Sequence, residues 1–125
     1  MSTIERRRRR SEIITEALTL QLDACCEDGR VHAMVLADDL GLALASSGDP
    51  GACDEVAASM AMVAARTEQF AGTLYRGAQH WDVEMTRIPV AGAHLVMCAV
   101  GGSAEQRWRQ VARGVRGARR ILGAD

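Results

Sequence analysis

The segment from Ala93 to Val100 (AHLVMCAV) constrains the fold more than any other part of the chain, because all but one of its residues are apolar. A β-strand directs successive side chains to opposite faces of its sheet, so a strand this apolar needs cover on both faces. We therefore predict that it lies in the centre of a sheet. Trp81 to Val90 alternates polar and apolar residues and is predicted to be its hairpin partner across Ala91-Gly92. Pro89 is compatible with this partner strand near an edge or a strand end.

The rest of the chain is predicted to supply three helices and further strands. Apolar residues every three or four positions indicate the helices, and short apolar runs between Gly, Asp and Pro indicate the strands. The order α-β-β-α-β-β-β-α predicts an α+β domain with helices packed against one antiparallel sheet. The predicted elements are a helix from Ser11 to Asp28, strands Val31–Ala37 and Leu42–Ser46, a helix from Cys53 or Asp54 through Phe70, a short strand around Leu74-Tyr75, and a last helix with an apolar stripe from Trp108 to Leu122.

Charge is distributed unevenly along the 125 residues, although the net charge is only −1. Residues 1–10 carry five Arg against one Glu, and residues 103–125 carry six Arg against two acids. Residues 11–102 carry four Arg against thirteen acids. An acidic body with two basic ends indicates self-association or an acidic partner. We divide the chain into an Arg-rich tail at 1–10 and a single domain at 11–125.

The motifs of common enzyme classes are missing from the sequence. The chain has no Lys, which excludes a Walker-type phosphate loop, and it has neither GxSxG nor HExxH. His94 and Cys98 share one face of a strand but are separated by about 13 Å, too far for a base and its nucleophile. We therefore expect a protein that is not an enzyme and has no catalytic residue.

Metal and cofactor sites, a nucleic-acid partner and a membrane span are also not expected. The run Arg6 to Arg10 is either a solvated tail or a contact for nucleic acid or a membrane, and the sequence leaves its role open. The four Cys form no CxxC pair, and Asp38-Asp39 is interpreted as a turn rather than a metal-binding pair. Only four residues are aromatic, too few for a base-stacking surface. No apolar run has the length of a membrane span, and no secretory signal follows the Arg run, so we expect a cytoplasmic protein.

Two helices offer candidate surfaces for a partner. On the last helix, Arg109, Arg113, Arg116 and Arg120 form a basic stripe beside the apolar one. This stripe is either a docking surface or a solvated helix face, and the sequence leaves both interpretations open. As a docking surface it would bind an acidic partner, phosphates or the acidic body of a second subunit. On the middle helix, Met62 and Arg66 are predicted to lie off the apolar stripe, where a partner can reach them.

The arrangement of strands, turns and helices resembles a Roadblock domain of the dynein light-chain family. The resemblance is carried by VHAMVLADDLGLALASSGD, by the Ala-rich helix that follows it, by IPVAGAHLVMCAVGG and by the ending GVRGARRIL. It covers nearly everything from residue 11 to residue 123.

The resemblance implies a profilin-like sheet of five antiparallel strands with helices on both faces, and a homodimer paired through the middle helix and the following strand. It also implies binding to a small Ras-like GTPase, as a regulator or scaffold; bacterial members are associated with such GTPases. Carried over to this chain, the partner face comprises Glu55, Met62, Arg66 and Gln69 on the middle helix. Two alternatives stay open: a dimeric adaptor for another client, such as a polarity or signalling protein, and a small-molecule sensor or enzyme with a deep pocket.

Overall fold

A computed structural model describes residues 2–123 of the chain. Met1 of the predicted tail, and Ala124 and Asp125 of the predicted domain, lie outside the described residues. Within the described range, the elements follow the predicted order α-β-β-α-β-β-β-α. They are α1 (Thr3–Gly29), β1 (Ala33–Asp38), β2 (Ala43–Ser47), α2 (Pro50–Ala64), β3 (Gln69–Arg76), β4 (Gln79–Val90), β5 (Ala93–Val100) and α3 (Ala104–Leu122).

The five strands form one antiparallel sheet in the order β2-β1-β5-β4-β3. The apolar strand β5 is therefore central, as predicted, and its Cys98 lies between Val35 of β1 and Met85 of β4. Pro89 pairs with β5 alone, because the pairing of β3 with β4 ends at Thr86. Proline at this position therefore removes no hydrogen bond between β3 and β4.

Two apolar cores lie on opposite faces of the sheet. Helices α1 and α3 cover one face, where Leu22, Met34 and Met97 are fully buried. Helix α2 covers the other face, where Val56 packs with Met85. Small side chains form much of the α2 side of this second core, because Ala57 and Ala64 of α2 are buried against the strands.

Helix α1 begins eight residues before the predicted start at Ser11. Ser2 caps it by accepting a hydrogen bond from the Glu5 amide at 3.2 Å, and the Arg run that follows has high helix propensity. Arg6 to Arg10 therefore form exposed helical turns that continue into the packed part of α1. Whether residues 1–10 act separately from the domain stays a prediction.

The prediction for the middle helix was wrong at both ends. The helix begins at Pro50, because Asp49 caps it by accepting from the Ala52 amide at 2.8 Å and proline suits the first helical turn. It ends at Ala64, so Thr67 and Phe70 do not belong to its apolar stripe. Residues 69–76 instead form β3, because their backbone groups pair with β4. The short strand predicted around Leu74-Tyr75 is the second half of this longer strand.

Candidate partner-binding surfaces

The outer side of α2 forms a shallow, open groove of about 330 Å³. Helix α2 turns Val56 and Met60 into the core, which leaves Met62 with 76% of its surface exposed. At the other end of the groove, a carboxylate oxygen of Glu55 lies 3.7 Å from Nε of Arg76 on β3. We call this groove the α2 surface; its lining residues are Asp54, Glu55, Ala58, Ser59, Met62 and Arg76.

Strand β3 forms one edge of the sheet directly beside the α2 surface. It has eight residues in unbroken register with β4, and among residues 2–123 no strand pairs with its other side. Phe70 and Leu74 are half-buried beneath the side of α2, whereas Ala71 and Tyr75 point to the opposite face and are exposed. A long edge strand without proline presents a row of free N–H and C=O groups to another strand.

The four residues that the resemblance assigned to the partner face do not lie on one surface. Glu55 and Met62 share the α2 surface. Arg66 is exposed in the turn after α2, where its amide donates to the carbonyl of Val63 at 2.9 Å. Gln69 is the first residue of β3, not a residue of α2, and it lies on the opposite face of the sheet beside α3. Its assignment to the middle helix was wrong because the chain leaves the helix five residues earlier.

The arginines of α3 form the predicted row, but their surroundings differ. Arg109 donates to Glu105 at 2.7 Å, one helical turn earlier. Arg113 lies 3.0 Å from the carboxylate of Asp28 and so ties α3 to α1. Within residues 2–123, Arg116 and Arg120 form no salt bridge, and both are exposed. Two of the four arginines, Arg109 and Arg113, therefore form ion pairs within the domain.

A second groove, of about 360 Å³, lies between α3 and the β3–β4 hairpin. Trp108 borders it with 64% of its surface exposed, although the sequence placed this residue at the start of the buried stripe of α3. Burial raises the pKa of Glu84 in this groove, and the charge of Arg107 opposes that shift. Its lining residues are Gln69, Glu84, Thr86, Trp108, Val111, Ala112, Val115 and Arg116. In the sequence, two features could have indicated this groove. One face of β4 carries polar residues, and the helix α3 carries small residues beside Trp108.

Asp38, considered for metal binding, and Cys98, considered as a nucleophile, have structural roles. Asp38 Oδ1 accepts hydrogen bonds from the amides of Leu40 and Leu42, at 3.0 and 2.9 Å, and so closes the β1–β2 turn. Cys98 is fully buried, and this burial raises the pKa of its thiol far above the usual range. Residues 2–123 contain no group of three His, Cys, Asp or Glu side chains able to hold a metal ion. No helix in the described range has the length and apolarity needed to cross a membrane.

Several solved structures are similar to this chain, including the following three. MglB from Myxococcus xanthus matches with a TM-score of 0.63 at 12% identity, over 88% of this chain and 90% of that chain. Gliding protein MglB from Thermus thermophilus matches with a TM-score of 0.64 at 17% identity, over 90% of this chain and 93% of that chain. A Roadblock/LC7 domain from Streptomyces avermitilis matches with a TM-score of 0.56 at 19% identity, over 84% and 97%. No protein-family profile and no curated sequence relative matches. The chain therefore has the Roadblock fold.

Proposed function

We propose that this protein is a non-catalytic homodimer that binds a small Ras-like GTPase and acts as its regulator or scaffold. The proposal rests on one observation, the exposed Met62 on α2 beside an unpaired edge strand in a Roadblock fold. The resemblance to Roadblock domains implies a GTPase regulator or scaffold. The similarity to the MglB structures supports the same function.

The homodimer is supported by the properties of β3. In the proposed dimer, β3 of one chain pairs antiparallel with β3 of the other, which satisfies the free backbone groups of both edges and makes one continuous sheet. Because Arg76 of β3 belongs to the α2 surface, the pairing also brings the two α2 surfaces close together. The partner would then meet a surface built from both copies.

The partner site is supported by the chemistry of the α2 surface. An exposed methionine among small residues is an adaptable apolar contact, and Glu55 and Arg76, which line the same surface, offer charges beside it. Arg66, exposed in the turn after α2, is proposed as a further contact. Gln69 and Arg116 belong to the groove beside α3, and we propose them as a separate, secondary contact. Arg109, Arg113 and Arg120 complete the proposed α3 contact, with Arg109 and Arg113 already held in ion pairs.

A capture experiment tests this function. The immobilised protein is exposed to lysate of its source organism, once with GDP and once with a non-hydrolysable GTP analogue. We expect a Ras-sized GTPase to be enriched with one nucleotide, and Met62→Glu to abolish the enrichment. Leu40→Glu is the matched control, because Leu40 is 81% exposed in the β1–β2 turn and lies outside the α2 surface.

Two results would count against the proposal. Enrichment of other proteins regardless of nucleotide indicates an adaptor for a different client. GTPase capture that survives Met62→Glu shows that the partner binds elsewhere on the domain.

A further inference from the structure

The outer side of α1 carries charged residues that form no salt bridge within residues 2–123. The inner side carries Leu18 and Leu22, which are buried against the sheet and α3. Ile13 and Leu20, seven residues apart on the outer side, keep 59% and 62% of their surfaces exposed. Residues at intervals of seven lie nearly above one another on a helix. The same row therefore continues to Arg6 at one end and to Glu27 at the other, both exposed.

The first turn of α1 also lies beyond the groove that the helix forms with β2 and α3. Helices α1 and α3 run antiparallel, with Asp28 beside Arg113 at one end and Ile14 beside Leu122 at the other. Arg7, Arg10 and Ser11 still line a groove with Leu44 and Leu122. Only Thr3 to Arg6, about 6 Å of helix at 1.5 Å per residue, lie beyond the residues of this groove. Isolated helical turns are marginally stable in water, and a partner along this stretch would stabilise them.

We propose that the outer side of α1 binds the same surface of a second copy of the chain in antiparallel orientation. The row reads basic, apolar, apolar, acidic from Arg6 to Glu27, so reversing one copy makes the two rows complementary. With Ile13 of one copy opposite Leu20 of the other, Arg6 lies opposite Glu27, and Arg9 lies within one residue of Asp23. A two-fold axis repeats each of these contacts, so the interface is isologous.

The sequence of charges selects this register and this direction. A parallel arrangement places Arg6 against Arg6, and an antiparallel register with Leu20 against Leu20 places Ile13 against Glu27. Only the proposed register pairs both apolar residues and both charges. Its one unfavourable contact is between the two copies of Glu16, which meet close to the two-fold axis.

A negatively charged lipid surface is the other partner that a run of arginines suggests, and α1 fits it less well. Successive residues point about 100° apart around a helix, so Arg6 to Arg10 do not share one face. Asp23 and Glu27 on the outer side would be repelled by acidic headgroups. For a second copy, these two carboxylates are binding partners instead.

The interface does not compete with the proposed dimer or with the α2 surface. Helix α1 packs over β1 and β2, and β2 is the edge of the sheet opposite β3. Helix α2 lies on the other face of the sheet. A chain paired through β3 would thus still present its α1 to another copy.

Charge reversal in the full chain, read by sedimentation velocity over a range of concentrations and salt, tests the interface. We expect Arg6→Glu alone and Glu27→Arg alone each to weaken the association at least about tenfold. The α1 contact is then lost, and the protein sediments as one chain or as a β3-paired dimer, whichever unit remains. This makes the result independent of the proposed function.

Restoration provides the stricter test. The double variant R6E/E27R recovers the complementary pairs, and so does an equimolar mixture of the two single variants, because each supplies the charge that the other lacks. Glu16→Gln should strengthen the association by about two- to threefold by removing the central repulsion. Leu40→Glu, at an exposed leucine of the β1–β2 turn that is not part of the α1 row, should change nothing.

Specific results would overturn the proposal. It fails if the single reversals leave the mass unchanged, or if neither the double variant nor the mixture restores it. It also fails if Arg6→Glu abolishes flotation with phosphatidylcholine–phosphatidylserine vesicles at a 3:1 ratio while self-association stays intact. That last result would assign the Arg run to an anionic membrane.

Discussion

Gly48 occupies a position that no other residue type fits, at the point where the chain leaves β2 for α2. Its φ is 100°, and a Cβ there would lie 2.8 Å from Cα of Ala33 and would also strike the carbonyl oxygen of His32. Gly77, in the β3–β4 turn, has a φ of 59° but nothing within 4 Å of an added Cβ. The two glycines thus share a left-handed backbone and differ in the space around them.

We expect Gly48→Ala to lower the free energy of unfolding by about 3 kcal/mol or more and Gly77→Ala by about 1 kcal/mol. Both losses include the cost of placing alanine in a left-handed backbone conformation. The larger loss at Gly48 also includes the cost of displacing β1. Urea unfolding followed by tryptophan fluorescence measures both. Equal losses in the two variants would show that β1 and the loop adjust without cost.

Glu84 makes stability depend on pH in a direction opposite to that of most carboxylates. Burial in the groove beside α3 raises its pKa, with Arg107 opposing. The folded protein therefore binds the Glu84 proton more tightly than the unfolded chain does. The free energy of unfolding falls as the pH rises from the pKa of Glu84 in the unfolded chain through its pKa in the folded protein. Glu84→Gln should remove this loss, raising the free energy of unfolding at pH 7 by less than about 1 kcal/mol and leaving it unchanged near pH 3.

Urea titrations of the two proteins at pH 3 and pH 7 provide the comparison. Glu12→Gln is the matched control, because Glu12 is exposed on α1 and should change stability at neither pH. A gain at pH 3 equal to the gain at pH 7 would assign the effect of Glu84→Gln to packing rather than to charge.

At the scale of elements, two helices begin with the same serine cap but differ in what their first turns contact. Ser103 accepts from the Gln106 amide at 3.1 Å, and the Gln106 side chain accepts from the Ser103 amide at 2.7 Å, at the start of a helix that packs on β4 and β5. Ser2 accepts from the Glu5 amide at 3.2 Å at the start of exposed turns.

Ser103→Ala should therefore cost about 1–2 kcal/mol of global stability, whereas Ser2→Ala should cost almost none. In Ser2→Ala the loss appears only as faster hydrogen exchange in the first turns of α1. Thermal unfolding together with amide exchange separates the two effects. A similar loss of global stability in both variants would mean that the first turns of α1 unfold together with the domain.

The elements that could be predicted from the sequence are those whose signal is local. The central position of β5 followed from its own apolarity, and the existence of α3 followed from the apolar stripe from Trp108 to Leu122. The end of α2 could not be found in this way, because the stripe of Val56, Met60 and Val63 continues in register through Thr67 to Phe70. Strand β3 exists because β4 is long enough to pair with it, which is a tertiary cause.

The candidate surfaces show the same limit. Met62 was predicted to be exposed from helical spacing alone, and this was confirmed. Gln69 was misplaced with the end of α2, and the groove beside α3 was missed, because its walls come from residues distant in the sequence. Helical periodicity describes one element at a time, whereas a groove requires knowledge of what faces it.

At the scale of the molecule, the two edges of the sheet differ in how they are protected. Strand β2 has five residues, and its pairing with β1 shifts register between Leu36 and Ala37, with α1 lying beside it. Strand β3 is longer and has no irregularity. Irregular, covered edges resist strand addition, so further pairing should occur at β3. We therefore expect self-association on the β2 side of the sheet to use helix contacts. The proposed α1 interface lies on this side, because α1 packs beside β2.

Two independent isologous surfaces at opposite edges predict a specific pattern of masses. Ala71→Lys with Tyr75→Lys sets like charges beside the β3 edge at two exposed positions, and should leave pairs held by α1. Ile13→Glu with Leu20→Glu should leave pairs held by β3. The chain with all four substitutions should sediment at the mass of one chain. Since all four sites are exposed, the fold should persist, as circular dichroism can verify. If the fourfold variant still forms dimers, a third surface holds the copies together; if either twofold variant is already monomeric, the two surfaces depend on each other.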